Sequence, residues 1–340
     1  MITNRQKFSL IYFITNSFFL ASGYSLIFKI SKNDSWISMI IGIIIGLTLV
    51  NIFNHFGFNE KRKYFLNEKK NILEKIISLL FFSFIIFVNI TVTRIFATSF
   101  FLTKTPGIII TIPFMYLSIK AAKNGINTIS KISEILLPIS IMFIILSMLA
   151  VCKDGSLQAF LPILITSKKK IILSSIYFAI LTSIPQLLLF DIKIEKKKHS
   201  LYYLITSLIT LFVGAVIIFT MGSKLISIFR FPEYMVLKQI KLFNFIEKIE
   251  NLIGLMWFFD LFISTSISIY NMNKVNSEKN YISYILLGSI IYFTEYITKK
   301  YTFANFLYQN IPWFLLITGL LFFILIFIKK RRIKKGTNSS

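Results

Sequence analysis

This sequence predicts an all-α integral membrane protein of about ten transmembrane helices, and three observations predict it. Hydrophobic residues make up 55% of the 340 residues, 37 of them Phe, and the mean hydropathy is +0.73, more apolar than soluble domains. Uncharged runs reach about 20 residues, enough to cross a bilayer core at about 1.5 Å per helical residue. The runs are continuous rather than alternating, which selects helices over barrel strands.

Ten runs qualify as spans of one transmembrane domain, 1–340: 8–30, 36–56, 76–102, 106–120, 133–151, 171–190, 200–221, 251–271, 281–297 and 311–329. The first contains the polar stretch FITNSFFLASGYS, and the third carries Arg94 roughly eight residues deep. The fourth is short and opens at Pro106, a residue suited to a first helical turn. The sixth follows Lys168, Lys169 and Lys170, which cap a helix starting at the outer surface, and it contains ILTSIPQLL. Between the seventh and eighth, Gly222 to Glu250 has mixed polarity at helical spacing and reads as a surface helix. The eighth holds Asp260 near its middle, and the tenth ends on KKRRIKK. Ten spans are compatible with two inverted halves of five.

Lys and Arg are more abundant in one set of loops. That set includes Arg5 and Lys7, the NEKRKYFLNEKK loop, Lys120, Lys123, Lys131, the IEKKKH loop, Lys274, Lys279 and the tail. The bias puts both termini in the cytoplasm. The net charge of +24 therefore belongs to membrane boundaries and not to a nucleic-acid interface, since no soluble basic domain exists to carry one. The single cysteine, Cys152, cannot form an intrachain disulfide. His55 and His199 lack a second ligand at metal spacing, so no metal or cofactor is expected. The apolar run from Phe8 to Ile30 is too long for a cleavable signal peptide.

Charges within hydrocarbon cost about 2.5–3.5 kcal/mol on insertion scales. Arg94 either snorkels towards an interface or meets a polar cavity or an acid from another span. Asp260 is short and cannot snorkel, so it pairs with Arg94, protonates or touches water. Glu134 and Glu295 lie nearer span ends and read as interfacial, while Asp191 is expected to meet the lysines that follow it. Two spans carry polar interruptions: Thr15, Asn16, Ser17, Ser22 and Gly23 in the first, and Thr182, Ser183, Pro185 and Gln186 in the sixth. Paired interruptions point to broken helices 1 and 6 around a midplane site, where half-helix N-termini offer N–H groups to a carboxylate. Ordinary packing through small polar residues with a proline kink is the other reading.

The chain resembles the B-subunit family of spore germinant receptors, the GerAB-type endospore germination permeases of the amino acid–polyamine–organocation superfamily. The residues that carry the resemblance are Gln6 in ITNRQ, Asp34 and Trp36 in NDSWIS, and Arg94 ahead of Thr105 and Pro106. Pro162 in FLPIL, and Glu247, Glu250 and Trp257 in FIEKIENLIGLMW, extend it, and a basic tail closes it. The resemblance implies a LeuT/APC-like 5+5 fold and a role in sensing a nutrient, commonly an amino acid, in the spore inner membrane. It implies partnership with an A subunit and a lipoprotein C subunit, membrane lipid around the chain, and a ligand site between the first, third, sixth and eighth spans.

The substrate-binding candidates are Asn16, Ser17, Phe19, Thr98, Ser183, Pro185 and Gln186, with Arg94 and Asp260 as intramembrane charges. The chain departs from the family pattern at three of these places. Ser17-Phe18-Phe19 stands where a Gly-x-Gly is common, Thr98 where an acid is common, and Ser183-Ile184-Pro185 where a Gly-x-Glu is common. Two other functions compete with sensing. A secondary amino-acid transporter, proton-coupled through Asp260, uses the same fold. A membrane enzyme needs a convergent catalytic set, and the sequence offers no nucleophile–base pair or metal motif.

Overall fold

The structure is a computed structural model and describes residues 2–19, 23–56, 72–238, 249–276 and 280–337. The NEKRKYFLNEKK loop, Glu247 and Lys279 lie outside the described residues. Among those described, every regular element is helical. The α-helices are α1 (Asn4–Phe18), α2 (Tyr24–Ser31), α3 (Ser35–Phe56), α4 (Ile72–Phe100), α5 (Gly107–Lys123) and α6 (Ile126–Val151). They continue with α7 (Lys168–Ser183), α8 (Lys196–Ile226), α9 (Pro232–Leu237), α10 (Ile249–Val275), α11 (Asn280–Thr298) and α12 (Tyr301–Thr337). Among the described residues six helical stretches are long and apolar enough to cross a membrane: Tyr24–Phe56, Ile72–Phe100, Ile126–Val151, Lys168–Leu189, Lys196–Ser223 and Ala304–Phe327. The first of these bends at Lys32, whose φ is 46°. Their outward faces are apolar: Ile135, Met142, Ile145, Leu146 and Leu149 of α6 are all exposed. A helix hydrophobic all round needs lipid or a core about it, so this is a membrane protein.

The two polar stretches differ in backbone geometry. In the first segment Thr15, Asn16 and Ser17 lie inside α1, Phe19 and Gly23 keep helical backbone angles, and Ser22 lies outside the described residues. In the sixth, α7 stops at Ser183 and the chain continues as a 3-10 helix over Ile184–Leu189. Pro185 accounts for that change, because it donates no backbone hydrogen bond and its ring crowds the preceding turn.

The chain clusters into two compact units. One comprises Met1–Thr48, Ser130–Ser183 and Tyr202–Leu261; the other comprises Leu49–Ile129, Ile184–Leu201 and Phe262–Ser340. In the first unit α1 and α2 both pack on α7, and α9 packs on α2. Gly42 and Gly46, one turn apart on α3, make room for large neighbours. A Cβ at Gly42 would lie 2.7 Å from the Phe178 Cβ, and one at Gly46 1.9 Å from the Tyr203 hydroxyl oxygen. This is the small-xxx-small spacing that lets membrane helices approach closely. In the second unit α4 packs against α5, α11 and α12. Its centre is aromatic: the Phe322 ring lies 4.9, 5.2 and 5.4 Å from those of Phe81, Phe82 and Phe190.

Two segments singled out in the sequence meet in the first unit. Asp34 is fully buried, and its two carboxylate oxygens accept from the backbone N–H groups of Leu164 (2.6 Å) and Thr166 (2.8 Å). Asn33 donates to the Leu161 carbonyl at 2.7 Å, and Trp36 meets Phe160 edge-on. NDSWIS therefore clamps the irregular chain around FLPIL. Gln6 also gains a structural role. It forms a capping box with Thr3 at the start of α1 and donates to Glu134 at 2.8 Å, so Glu134 is a hydrogen-bond partner rather than merely interfacial.

The surface helix expected over 222–250 needs correction. Of that stretch, 239–248 lie outside the described residues, and α9 is buried at Pro232, Glu233, Tyr234, Val236 and Leu237. Its mixed polarity reflects packing on α2, with Pro232 at the first helical turn.

Asp34→Ala removes the acceptor of two part-buried N–H groups, at about 0.5–1.5 kcal/mol each, and is expected to lower the melting temperature in detergent by a few degrees. Asp34→Asn keeps one acceptor oxygen and should lose less. Thermal unfolding followed by tryptophan fluorescence checks both.

Candidate functional site

The first polar stretch is built from groups that satisfy one another. Thr15 donates to the Ile11 carbonyl and Ser17 to that of Ile14, spending both hydroxyl protons on their own helix. Asn16 Oδ1 accepts from Thr210 on α8 at 2.9 Å, and the Tyr24 hydroxyl donates to the Thr210 carbonyl at 2.7 Å. Thr210 thus ties α1 and α2 to one helix. Phe19 is fully buried, with its ring 4.6 Å from Tyr24 and 4.8 Å from Phe178. The same ring occupies the space a side chain at position 23 would need, 2.4 Å from a built Cβ. Phe19 is therefore accommodated by Gly23. Ser183, the last residue of α7, donates to the Ala179 carbonyl at 2.6 Å.

Among the predicted site residues, Asn16, Ser17, Phe19, Ser183 and Asp260 belong to the first unit, and Arg94, Thr98, Pro185 and Gln186 to the second. Asp260 is 2% exposed, and its Oδ1 has no hydrogen-bond partner among the described residues. It shares this state with a residue that sequence reasoning missed. Glu233 on α9 is 3% exposed, and its Oε2 is also unpartnered. Glu233 escaped notice because its neighbourhood, FRFPEYMVLK, reads as surface.

In the second unit Arg94 meets an acid. Its Nε donates to Glu295 Oε1 at 2.7 Å and its Nη2 to Oε2 at 2.9 Å, a bidentate pair with side chains 14% and 18% exposed. The guanidinium lies across Gly107, where a Cβ would be 2.1 Å from Nε. So Glu295, read from sequence as interfacial, is the acid beside Arg94, and Gly107 clears the space. Thr98 donates back to the Arg94 carbonyl at 2.9 Å.

Gln186 sits in the 3-10 turn, where its Oε1 lies 3.4 Å from His199 Nε2; His199 Nδ1 is 2.7 Å from Asn54 Oδ1. The carbonyl of Leu188 in the same turn accepts from Asn271 at 2.8 Å. Asp191 pairs with Lys274 rather than with the lysines that follow it in sequence, so that expectation is corrected too. Asn89 on α4 donates to Ser264 and Thr265 on α10. Among the described residues no group of three or more His, Cys, Asp or Glu side chains could hold a metal ion.

A bundle of long apolar helices carrying buried polar groups and charges defines a polytopic membrane protein. Residues 1–304 match the spore permease family, described as "Spore germination protein", and the chain belongs to that family. It is also 25% identical over 262 residues to "Putative spore germination protein YfkT" of Bacillus subtilis strain 168, covering 72% of this chain and 71% of that one.

Two measurements test this geometry. Glu295→Gln leaves Arg94 charged without its acid and is expected to lower the melting temperature. Because the pair is partly shielded, the cost should reach a few kcal/mol at most. Arg94→Gln combined with Glu295→Gln removes both charges and should recover part of the loss in a double-mutant cycle. The second measurement concerns Glu233, which lies outside the six spanning stretches. Burial pushes its carboxyl well above the ordinary 4.5. The folded state then holds the proton more tightly than the unfolded chain. Glu233's contribution to stability is therefore fully present below pH about 4.5 and falls as pH rises towards the native pKa. Melting temperature against pH, from 4.5 to 8, should slope downward more steeply in wild type than in Glu233→Gln. The two proteins differ only at this carboxyl, so the difference in slope isolates it.

Proposed function

We propose that this chain is the membrane subunit of a nutrient germinant receptor, which senses a small solute, an amino acid by preference, and helps to trigger germination. The observation that carries the reading is the packing of α1 and α2 on α7, the helices that carry the two polar stretches. Asn16, Ser17 and Ser183 lie on these helices beside Phe19, and a ligand inserted there would exchange hydrogen bonds with their polar side chains. Family membership supports a place in germination. The reading takes the chain as a ten-helix LeuT/APC-like protein of two inverted five-helix repeats, in the cell membrane or the spore inner membrane, with both termini cytoplasmic. It works with the receptor's A and C subunits and has no enzymatic role.

Transport is the second reading, and the buried, unpartnered Oδ1 of Asp260 favours it. A carboxyl that must be protonated or occupied by a cation to sit in an apolar interior is the chemistry of proton coupling.

Deletion of the gene, followed by germination assays against a panel of amino acids, sugars and salts, tests the receptor reading. Loss of the response to at least one nutrient is expected, and an unchanged response to every nutrient would overturn it. Uptake of labelled amino acid by the purified chain alone in proteoliposomes would favour the transporter instead.

A further inference from the structure

The chain between α6 and α7 joins two of the spanning stretches, Ile126–Val151 and Lys168–Leu189, and so lies at a membrane boundary. It is apolar where it is exposed. Leu157, Leu161, Ile163, Leu164 and Ile165 are between 49% and 77% exposed, and a run of bare aliphatic side chains marks a contact surface. The backbone beneath them is irregular: a short 3-10 helix, Leu157–Phe160, and then no regular element until α7. Its polar groups are nevertheless answered from within the first unit. Asp34 takes the N–H groups of Leu164 and Thr166, and Asn33 takes the Leu161 carbonyl. The Thr166 hydroxyl donates to the Ser31 carbonyl at 2.9 Å, and the Ser156 N–H donates to the Phe219 carbonyl at 2.9 Å. The clamp leaves the aliphatic side chains outside. Three cations follow directly: Lys168, Lys169 and Lys170 are all exposed, and none is in an ion pair among the described residues.

We propose that segment 157–170 is an interfacial anchor docked on an anionic phospholipid surface. The aliphatic side chains enter the acyl boundary, and the three ammonium groups meet phosphate oxygens. Irregular backbone is tolerated so near hydrocarbon only when its N–H and C=O groups are satisfied, and the Asp34 clamp meets that condition. Two observations select lipid as the occupant. The exposed face of α6, with Leu146 and Leu149, runs along the chain into this loop, so the surface continues one already turned to lipid. The apolar side chains and the unpaired lysines also sit side by side, matching a leaflet that offers hydrocarbon and phosphate in adjacent layers. A zwitterionic leaflet supplies the hydrocarbon but no net charge for the lysines. The anchor does not depend on which solute is sensed.

The test uses the full chain reconstituted in vesicles and labelled with bimane at Ile165→Cys in a Cys152→Ser background, which makes the label unique because Cys152 is the single cysteine. Phospholipid brominated on its acyl chains quenches a probe in hydrocarbon, and iodide quenches one in water. The label is expected to be quenched by brominated lipid and shielded from iodide. In mixed vesicles brominated phosphatidylglycerol should quench at least ~3-fold more effectively than brominated phosphatidylcholine. Replacing the lysines together, Lys168→Gln with Lys169→Gln and Lys170→Gln, should abolish that preference and leave acyl-chain quenching in place. A label reached by iodide and not by brominated lipid overturns the proposal and leaves the surface to water or to a protein partner. Equal quenching by the two lipids with the lysines intact overturns it as well, as does a preference that survives their replacement. Leu157→Cys carries the same label if Ile165→Cys does not fold.

Discussion

Polar groups inside a bilayer have no water to take them, and the packing of this chain follows from how those groups are answered. At the first polar stretch Thr210 of α8 accepts from the Tyr24 hydroxyl at its carbonyl and donates its own hydroxyl to Asn16 Oδ1. At the second, the Leu188 carbonyl of the 3-10 turn is taken by Asn271 of α10. The small and polar residues around these places are needed for that accounting. Thr15, Ser17, Thr182 and Ser183 each donate to a carbonyl three or four residues back, bonding that adjusts helices locally without leaving a hydroxyl bare.

The same economy separates the paired charges from the unpaired ones. Arg94 with Glu295 and Lys274 with Asp191 are complete ion pairs. Asp34 is complete as well, because two backbone N–H groups serve its carboxylate. Against that background, Glu233 and Asp260 stand out. Each keeps one oxygen without a hydrogen-bond partner among the described residues, where both oxygens of Asp34 are engaged. Elsewhere in the same unit the Phe19 ring packs on Tyr24 and Phe178 and excludes a side chain at position 23.

Much of the architecture was legible because hydrophobic run length and interruption are local properties. Helix α4 lies over the third run and α6 over the fifth, and the TSIPQ stretch coincides with the change from α-helix to 3-10 helix, whereas TNS lies inside α1. Proline and clustered hydroxyls act on their own turn, so their effect can be read without knowing any neighbour. Gln6, Asp34 and Pro162 could be picked out as marking residues, but not why they matter. Gln6 answers Glu134, 128 positions away, and Asp34 answers Leu164 and Thr166, 130 and 132 positions away.

What the sequence alone determined was a membrane-embedded all-helical chain, its two polar stretches, and the presence of charges too costly to leave unexplained in hydrocarbon. Only the tertiary structure decided who meets those charges. Glu295 lies 201 residues from Arg94, and Glu233 looked like surface until α9 packed on α2. Run length follows from bilayer thickness, a constraint each segment meets alone. Charge pairing depends on which helix faces are brought together, and that is a property of the packed chain.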